Sequence, residues 1–517
     1  MKQIGFKNFR RFADFPAMDL APITIFVGEN NSGKSTVVKG ILALSDFLNN
    51  WRTDYDLLIE RNTDDEKKRK KIVKEKLANQ KFYFNTSYLT HIGTFSRALY
   101  NKAETDTITF HTRIGLMDID INVKGDKCDE ESVCGTISNI SVCYNDFGIQ
   151  LDFDLFNDIA KAVFYPHPIG ETNVSKLSVR KKGKIDDYYS SFDEPMEVET
   201  CISDNFRFFA PGLISLLVSS IENAINVTLF PKKARTDYFD MFSPIENLPQ
   251  KTFDFLKMYV EKVPVNLGTG KRNAFVFPES RLMYNLFDIE YLYAHAVTQT
   301  VIYSAKDTND YLSRTIHEYA SLPSQEYKHE FITKWMKKFG IGIDYEIRSV
   351  GGEAHIVYIK NVDGKSVNLA DKGMGSIQLM VLLFRLAISL PKNPTKGVRV
   401  LMYERIIIIE EPEQNLHPML QSKLADLLYE LYTEYDYHFI IETHSEYLIR
   451  KTQVIVKERY KGNRKSLKDN PFKVYYFNSS SSDKPYYEIV YQRDGSLEND
   501  FGKGFFDEAS NLAFEIL

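Results

Sequence analysis

The sequence predicts an α/β fold: a mostly parallel sheet drawn from both ends of the chain, with a largely helical arm or lid inserted between them. Three observations predict it. Residues 23–27 form a short apolar run that leads into a glycine-rich turn, after which apolar residues recur at helical spacing through residues 35–48. Beyond residue 350, strand-like and helix-like stretches alternate, as they do in a parallel sheet. Between these regions, residues 211–321 read mainly as helix.

Each element has its own local reason. Residues 4–9 alternate in hydrophobicity and read as the first of a pair of strands. Residues 60–80 are highly charged and include Lys67-Lys68-Arg69-Lys70-Lys71, which is either a solvated helix face or a phosphate-contacting patch. Residues 105–154 carry short Ile/Val/Phe segments separated by turn residues and read as β-rich. Residues 355–360 and 365–369 flank Asp363-Gly364, a strong hairpin signal. An apolar helix at 379–390, a strand at 405–409, a helix near 419–435 and a strand at 438–442 follow. The tail holds Tyr475-Tyr476-Phe477 and residues 486–491, which read as a hairpin on the edge of the same sheet.

Composition bounds the function. A chain of 517 residues with 43% hydrophobic and 26% charged residues can bury a sizeable core in two or three domains. Its net charge of -5 supplies no global attraction for nucleic acid, although a local basic patch is compatible with it. The four cysteines, Cys128, Cys134, Cys143 and Cys201, form no CxxC pair, so reduced cytosolic thiols are expected rather than a zinc site. No apolar run approaches the length of a membrane helix, and a cytoplasmic location is expected.

The chemistry is carried by four segments. Gly28-Glu29-Asn30-Asn31-Ser32-Gly33-Lys34-Ser35-Thr36 fits G-x-x-x-x-G-K-[ST] and lies between an expected strand and an expected helix, the context that identifies a P-loop. Glycines let backbone N–H groups wrap phosphates, and a helix N-terminus adds positive potential. Lys34 is expected at the β/γ-phosphates and Ser35 at Mg²⁺. The strand 406–409 then delivers Glu410-Glu411-Pro412 at its carboxyl end, where α/β sheets place ligands. Glu410 fits a metal-binding role, and Glu411 fits orienting or deprotonating water, since phosphoryl transfer needs both.

Residues 440–445, Ile-Ile-Glu-Thr-His-Ser, end a further apolar strand one helix later. That order places His444 at the same edge, where it is expected to sense the γ-phosphate rather than to play a structural part. Finally, Asp371-Lys372-Gly373-Met374-Gly375-Ser376-Ile377-Gln378 precedes an apolar helix. It is either an anion-binding helix start or a simple glycine turn with a serine cap.

Taken in this order, the four segments resemble the ABC-type ATPase heads of the RecF, SMC and OLD-type families. The opening Phe6-Lys7-Asn8-Phe9-Arg10-Arg11-Phe12 resembles their first strand, and Leu416-His417-Pro418 after the acid pair resembles the OLD/RecF-like bacterial ATPases most. The resemblance implies a head split into an N-terminal lobe at 1–60 and a C-terminal lobe at 346–517, leaving a charged helix and β-rich lobe at 61–200 and a helical insert at 201–345. It implies ATP and Mg²⁺ as cofactors, Arg10 or Arg11 as a nucleotide contact, and residues 85–91 as the neighbourhood of the Q-loop. It further implies a homodimer or higher homo-oligomer in which Gly375 and Ser376 of one subunit meet the γ-phosphate held by Lys34 of another.

About 70 residues follow Ser445, too few for the Toprim nuclease domain of OLD proteins, so no nuclease site is expected. Stripped ATPases of this kind resemble the partner of a separate nuclease or toxin in anti-phage defence, as in Septu-, PARIS- or retron-associated systems. The alternative is a RecF-like repair ATPase that binds DNA. No membrane partner is expected.

Overall fold

The computed structural model describes residues 1–50, 66–86, 92–166, 194–205, 213–229, 248–262, 287–292, 299–304, 310–323, 325–393, 404–460, 467–478 and 484–502, with a few shorter stretches besides. The chain opens with β1 (Gln3–Phe9), β2 (Phe12–Asp19), β3 (Ile23–Gly28) and α1 (Lys34–Asn50). Two compact units follow from the contacts. One comprises Met1–Leu20, Ser35–Asp288 and Met402–Glu404; the other comprises Ala21–Lys34, Ile289–Leu401 and Arg405–Leu517.

In the first unit, β1 and β2 form an antiparallel hairpin that closes with Phe9 opposite Phe12. They extend an antiparallel sheet through α2 (Glu66–Ala78), β4 (Lys81–Tyr83), β5 (Thr107–Ile114), β6 (Met117–Lys124), β7 (Cys134–Tyr144), β8 (Ile149–Asp154), β9 (Ile159–Phe164) and β10 (Met196–Cys201). The sheet order is β10-β9-β8-β7-β6-β5-β1-β2, with β4 paired to β7 and α2 flanking rather than joining it. The β-rich expectation for 105–154 holds. Strict alternation in β5 sends Ile108, Phe110, Thr112 and Ile114 inward, as a sheet with one buried face requires.

Phe6, Phe9, Phe15, Phe82 and Phe110 fill this core, with Phe82 stacked on Phe110 at 4.6 Å. Gly40 lets α1 lie directly on β1, because a Cβ there would stand 2.4 Å from the Phe6 ring. In α2, Lys70 pairs with Asp204 at 3.1 Å and Lys71 reaches Glu75 at 3.9 Å. The described part of the expected helical insert contains α3 (Leu213–Leu229), α4 (Gln250–Lys262) and α5 (Tyr311–Ser321). It also contains a strand the periodicity did not suggest, β11 (Phe287–Leu292). Residues 87–91, most of the expected Q-loop neighbourhood, lie outside the described residues.

The second unit is built on a six-stranded sheet ordered β11-β16-β17-β3-β18-β19. Between β11 and β16 the chain forms β12 (Tyr303–Ser304), α6 (Glu326–Phe339), β13 (Asp344–Val350), β14 (Ala354–Lys360), β15 (Ser366–Asn368) and α7 (Met374–Ile388). There follow β16 (Glu404–Glu410), α8 (Pro418–Tyr435), β17 (His438–Glu442), α9 (Glu446–Tyr460), β18 (Phe472–Phe477) and β19 (Tyr486–Ile489). Strands β16, β17, β3 and β18 run parallel and β19 closes the edge antiparallel, the expected tail hairpin.

The central strands are buried on both faces, which is why residues 406–409 and 439–441 are continuous apolar runs, and 23–27 is one interrupted only by Thr24, whose buried hydroxyl bonds the backbone of Ala21. Ile407 and Ile441 have no exposed surface; truncating either to alanine would cost about 2–5 kcal/mol. The Asp363-Gly364 hairpin is present between β14 and β15, with Gly364 at φ 81°.

Candidate functional site

Parallel register brings three distant segments to one edge. Glu410 at the end of β16 sits opposite Glu442 at the end of β17, Glu442 sits opposite Phe26 of β3, and Gly28 of β3 sits opposite Phe477 of β18. The loops that leave this carboxyl edge are therefore neighbours: the loop at Gly28, the acid pair, and Thr443-His444-Ser445. Backbone bonds tie them. Thr443 N–H donates to Phe26 O at 3.0 Å, and Glu411 N–H donates to Glu442 O at 2.7 Å.

The glycine-rich loop wraps back on itself. Gly28 (φ 137°), Asn31 (φ 59°) and Gly33 (φ 107°) adopt left-handed backbone, which turns the chain from strand to helix within five residues. Gly28 is doubly constrained, since a Cβ there would stand 2.3 Å from Phe477 O. Lys34 is 3% exposed, and its Nζ donates to Gly28 O at 3.1 Å and Glu29 O at 2.8 Å, closing a ring around the loop. Ser32 is buried, and its hydroxyl has no hydrogen-bond partner. Asn30 and Asn31 are exposed, and Ser35 and Thr36 follow in the first turn of α1.

Electrostatics at the edge are set by burial and two acids. Burial lowers the Lys34 ammonium below its ordinary value, while Glu442, 3.9 Å away, and Glu411 act in the opposite direction. Partial burial and then Lys34 lower His444, with Glu411 opposing. His444 thus stays a neutral imidazole near neutral pH. Glu411 adopts φ 45°, an uncommon left-handed conformation for a residue with a side chain, and its carboxylate accepts from Gln414 Nε2.

The segment at 373–378 is a helix start of the open kind. Gly373 is the N-cap of α7 and supplies no side-chain cap, and Ser376 lies in the first turn, its N–H bonded to Gly373 O at 2.8 Å. The serine-cap alternative is therefore not what the structure shows. Gly375 presses on the loop after the acid pair: a Cβ would stand 2.5 Å from Asn415 O. Asn415 Nδ2 donates to Gln378 Oε1 at 3.3 Å, a second tie between the two segments.

Arg10 and Arg11 form the two-residue turn between β1 and β2 in the first unit. Arg10 has φ 52° and is lowered by burial and by Arg97; Arg11 lies over the Phe12 ring at 5.8 Å.

Residues 1–449 match a family model described as the AAA ATPase domain. This chain belongs to the AAA ATPase domain family. No curated protein sequence matches it. Among solved structures the ATPase is similar to the SMC head domain from Thermotoga maritima, at 8% identity over 95% of this chain and 98% of that one, TM-score 0.30. It is similar to an SmcHead bound to the C-winged helix domain of ScpA, at 10% identity over 95% and 98%, TM-score 0.33. It is also similar to an Smc head domain with an extended coiled coil, bound to the C-terminal domain of ScpA derived from Pyrococcus furiosus, at 11% identity over 100% and 98%, TM-score 0.31. No described helix of the ATPase is long and apolar enough to cross a membrane.

Two carboxylates at the site were not picked out by spacing. Glu442 lies inside the quoted 440–445 segment, but nothing local distinguishes a strand-end acid from one beside the P-loop lysine. Glu413 lies two residues after Glu411 and is 8% exposed, a burial that its sequence neighbours do not announce.

Proposed function

We propose that this ATPase binds Mg·ATP on the Gly28, Asn30, Asn31, Ser32, Gly33, Lys34, Ser35 and Thr36 loop and hydrolyses it with Glu411 as the residue that orients or deprotonates water. The carrying observation is the register that sets Gly28, Glu442 and Glu410 at one sheet edge. The loop fits an anion: Lys34 now bonds its own loop's carbonyls, and the buried Ser32 hydroxyl has no partner, so both donors match phosphate oxygens. The Ser35 hydroxyl and the Glu410 carboxylate are hard oxygen donors of the kind Mg²⁺ takes alongside phosphate and water. When bound, that ion would neutralise charge on the phosphates.

The chain's own residues do the rest. Lys34 holds the phosphates, Glu411 orients water or takes a proton from it, and His444 donates a hydrogen bond to an oxygen of the terminal phosphate. Arg10 or Arg11 is a further nucleotide contact. Measuring ATP hydrolysis by the wild type beside Lys34→Ala and Glu411→Gln tests this reading; equal rates in all three would sink it.

The finer reading is a sensor or regulatory subunit of an anti-phage defence complex, in which ATP-dependent pairing of heads controls a separate nuclease or toxin. Its support is the resemblance of the four motifs to stripped OLD/RecF-like ATPases, together with the start of α7, which carries Gly375 and Ser376 and has no side-chain cap. Co-purification from the native operon with and without ATP is the test, and a chain that carries no partner in either state counts against it. The alternative, a RecF-like DNA-binding ATPase, is supported by the lysines of α2, although Lys70 and Lys71 already face acids. It predicts DNA affinity that falls steeply with salt.

A further inference from the structure

The acid pair is followed by a third acid whose placement is unlike that of its neighbours. Glu411 turns the chain through a left-handed conformation, Pro412 is buried, and the Glu413 side chain is thereby directed back under the edge of the sheet rather than out to solvent. Its Oε1 accepts the backbone N–H of His444 at 2.6 Å. The Thr443 hydroxyl lies beside the same carboxylate. Its own carbonyl accepts the N–H of Leu416 at 3.1 Å, which anchors the chain leading to α8.

Glu413 therefore touches the loop that carries His444 from within the loop that carries Glu411. The two loops share one further tie on the strand side, Glu411 N–H to Glu442 O at 2.7 Å. On the far side of His444, Ser445 is held separately: its hydroxyl donates to Gln421 Oε1 at 2.7 Å and accepts from Leu448 N–H at 3.1 Å, fixing the start of α9. His444 is thus clamped by Ser445 from behind and by Glu413 from the acid-pair side. Of these two clamps, only Glu413 connects it to Glu411.

We infer that Glu413 is a positioning residue that sets where the His444 ring stands relative to the Glu411 carboxylate. The inference rests on the proposed roles of Glu411 and His444 in hydrolysis. Proton transfer and phosphate contact tolerate little misplacement: a shift of about 1 Å costs about 100-fold in rate. A hydrogen bond of 2.6 Å between loops is the kind of contact that prevents such a shift. Glutamine has the same reach as glutamate and keeps one side-chain oxygen, which can accept from His444 as the carboxylate does.

The test compares Glu413→Ala, Glu413→Gln and Glu413→Asp in steady-state ATP hydrolysis, with melting temperature and ATP binding measured on each. The expected result is a kcat lower by about 100-fold for Glu413→Ala, with KM changed by less than about threefold, since the loop at Lys34 is untouched. Glu413→Gln should return kcat to within a few-fold of the wild type. Glu413→Asp keeps the charge but shortens the reach by a methylene, and it should behave like the alanine variant. If the alanine variant fails to fold, the contrast between Asp and Gln decides.

In a His444→Ala background the further loss on Glu413→Ala should be small, because both act through one group. Wild-type kcat in the alanine and aspartate variants, a loss in KM or melting temperature alone, or a glutamine variant as impaired as alanine would each overturn the inference. Failure of the underlying reading looks different: Glu411→Gln would then hydrolyse ATP at the wild-type rate whatever stands at 413.

Discussion

The amino group of Lys34 stands 3.9 Å from Oε1 of Glu442, and both side chains are buried. The two residues are 408 positions apart and meet because β3 and β17 are adjacent parallel strands. Lys34 is otherwise held by the carbonyls of Gly28 and Glu29, so it waits folded into its own loop.

Replacing Lys34 by alanine should weaken ATP binding by about 10- to 100-fold, the loss of charge-assisted bonds to phosphate, as read by calorimetric titration with a non-hydrolysable analogue. It also removes a cation from beside a buried carboxylate. Lys34→Ala/Glu442→Gln should therefore melt at a higher temperature than Lys34→Ala alone.

Glu411→Gln keeps the shape of the loop and removes the basic oxygen. Turnover should fall by about 10²–10⁴-fold with nucleotide affinity retained, the range a positioned general base contributes. Single-turnover hydrolysis beside equilibrium binding separates the two effects. If the heads pair through bound ATP, this variant should accumulate the larger species in light scattering with ATP, and Lys34→Ala should not.

His444 has a lowered proton affinity in the folded chain, from partial burial and from Lys34. As pH falls, the unfolded histidine takes up its proton first, so this group's stability is complete above its ordinary value of 6.5 and is lost as pH drops toward the lowered folded value. The wild-type melting temperature should therefore fall more steeply than that of His444→Gln between about pH 7.5 and about pH 5.5. Parallel curves would refute the assignment.

Gly375 and Gly373 make a matched pair. A Cβ at Gly375 would stand 2.5 Å from Asn415 O, whereas one at Gly373 meets nothing within 4 Å. Gly375→Ala should cost about 1–3 kcal/mol by overpacking and disturb the loop after the acid pair. Gly373→Ala meets no such clash and should cost less, about 0.5–1 kcal/mol, the preference of an N-cap for glycine over alanine. Chemical denaturation of both variants checks the contrast.

Much of the fold was legible from spacing. The P-loop, the Asp363-Gly364 hairpin, the helix that ends at Tyr435 and the strand 438–442 follow from local chemistry: glycines where left-handed backbone is needed, and apolar runs where both faces are covered. Helix α7 begins at Met374, five residues before the apolar run suggested, because Gly373 caps it without a side chain and Gly375, Ser376 and Gln378 interrupt the apolar pattern around Met374 and Ile377. Strand β11 was not legible, since it stands among residues that read as helix and is held by pairing in the sheet.

The sequence by itself determined the segments proposed for phosphate chemistry, because a glycine-rich loop before a helix and an acid pair at the end of an apolar strand are local patterns. Only the tertiary structure decided how they meet. The strand order β16-β17-β3-β18 places residues 410, 442 and 28 side by side, and pairing between segments some 400 residues apart has no local signature. The direction of Glu413 is of the same kind: it depends on the left-handed turn at Glu411 and on a backbone N–H that arrives from another strand.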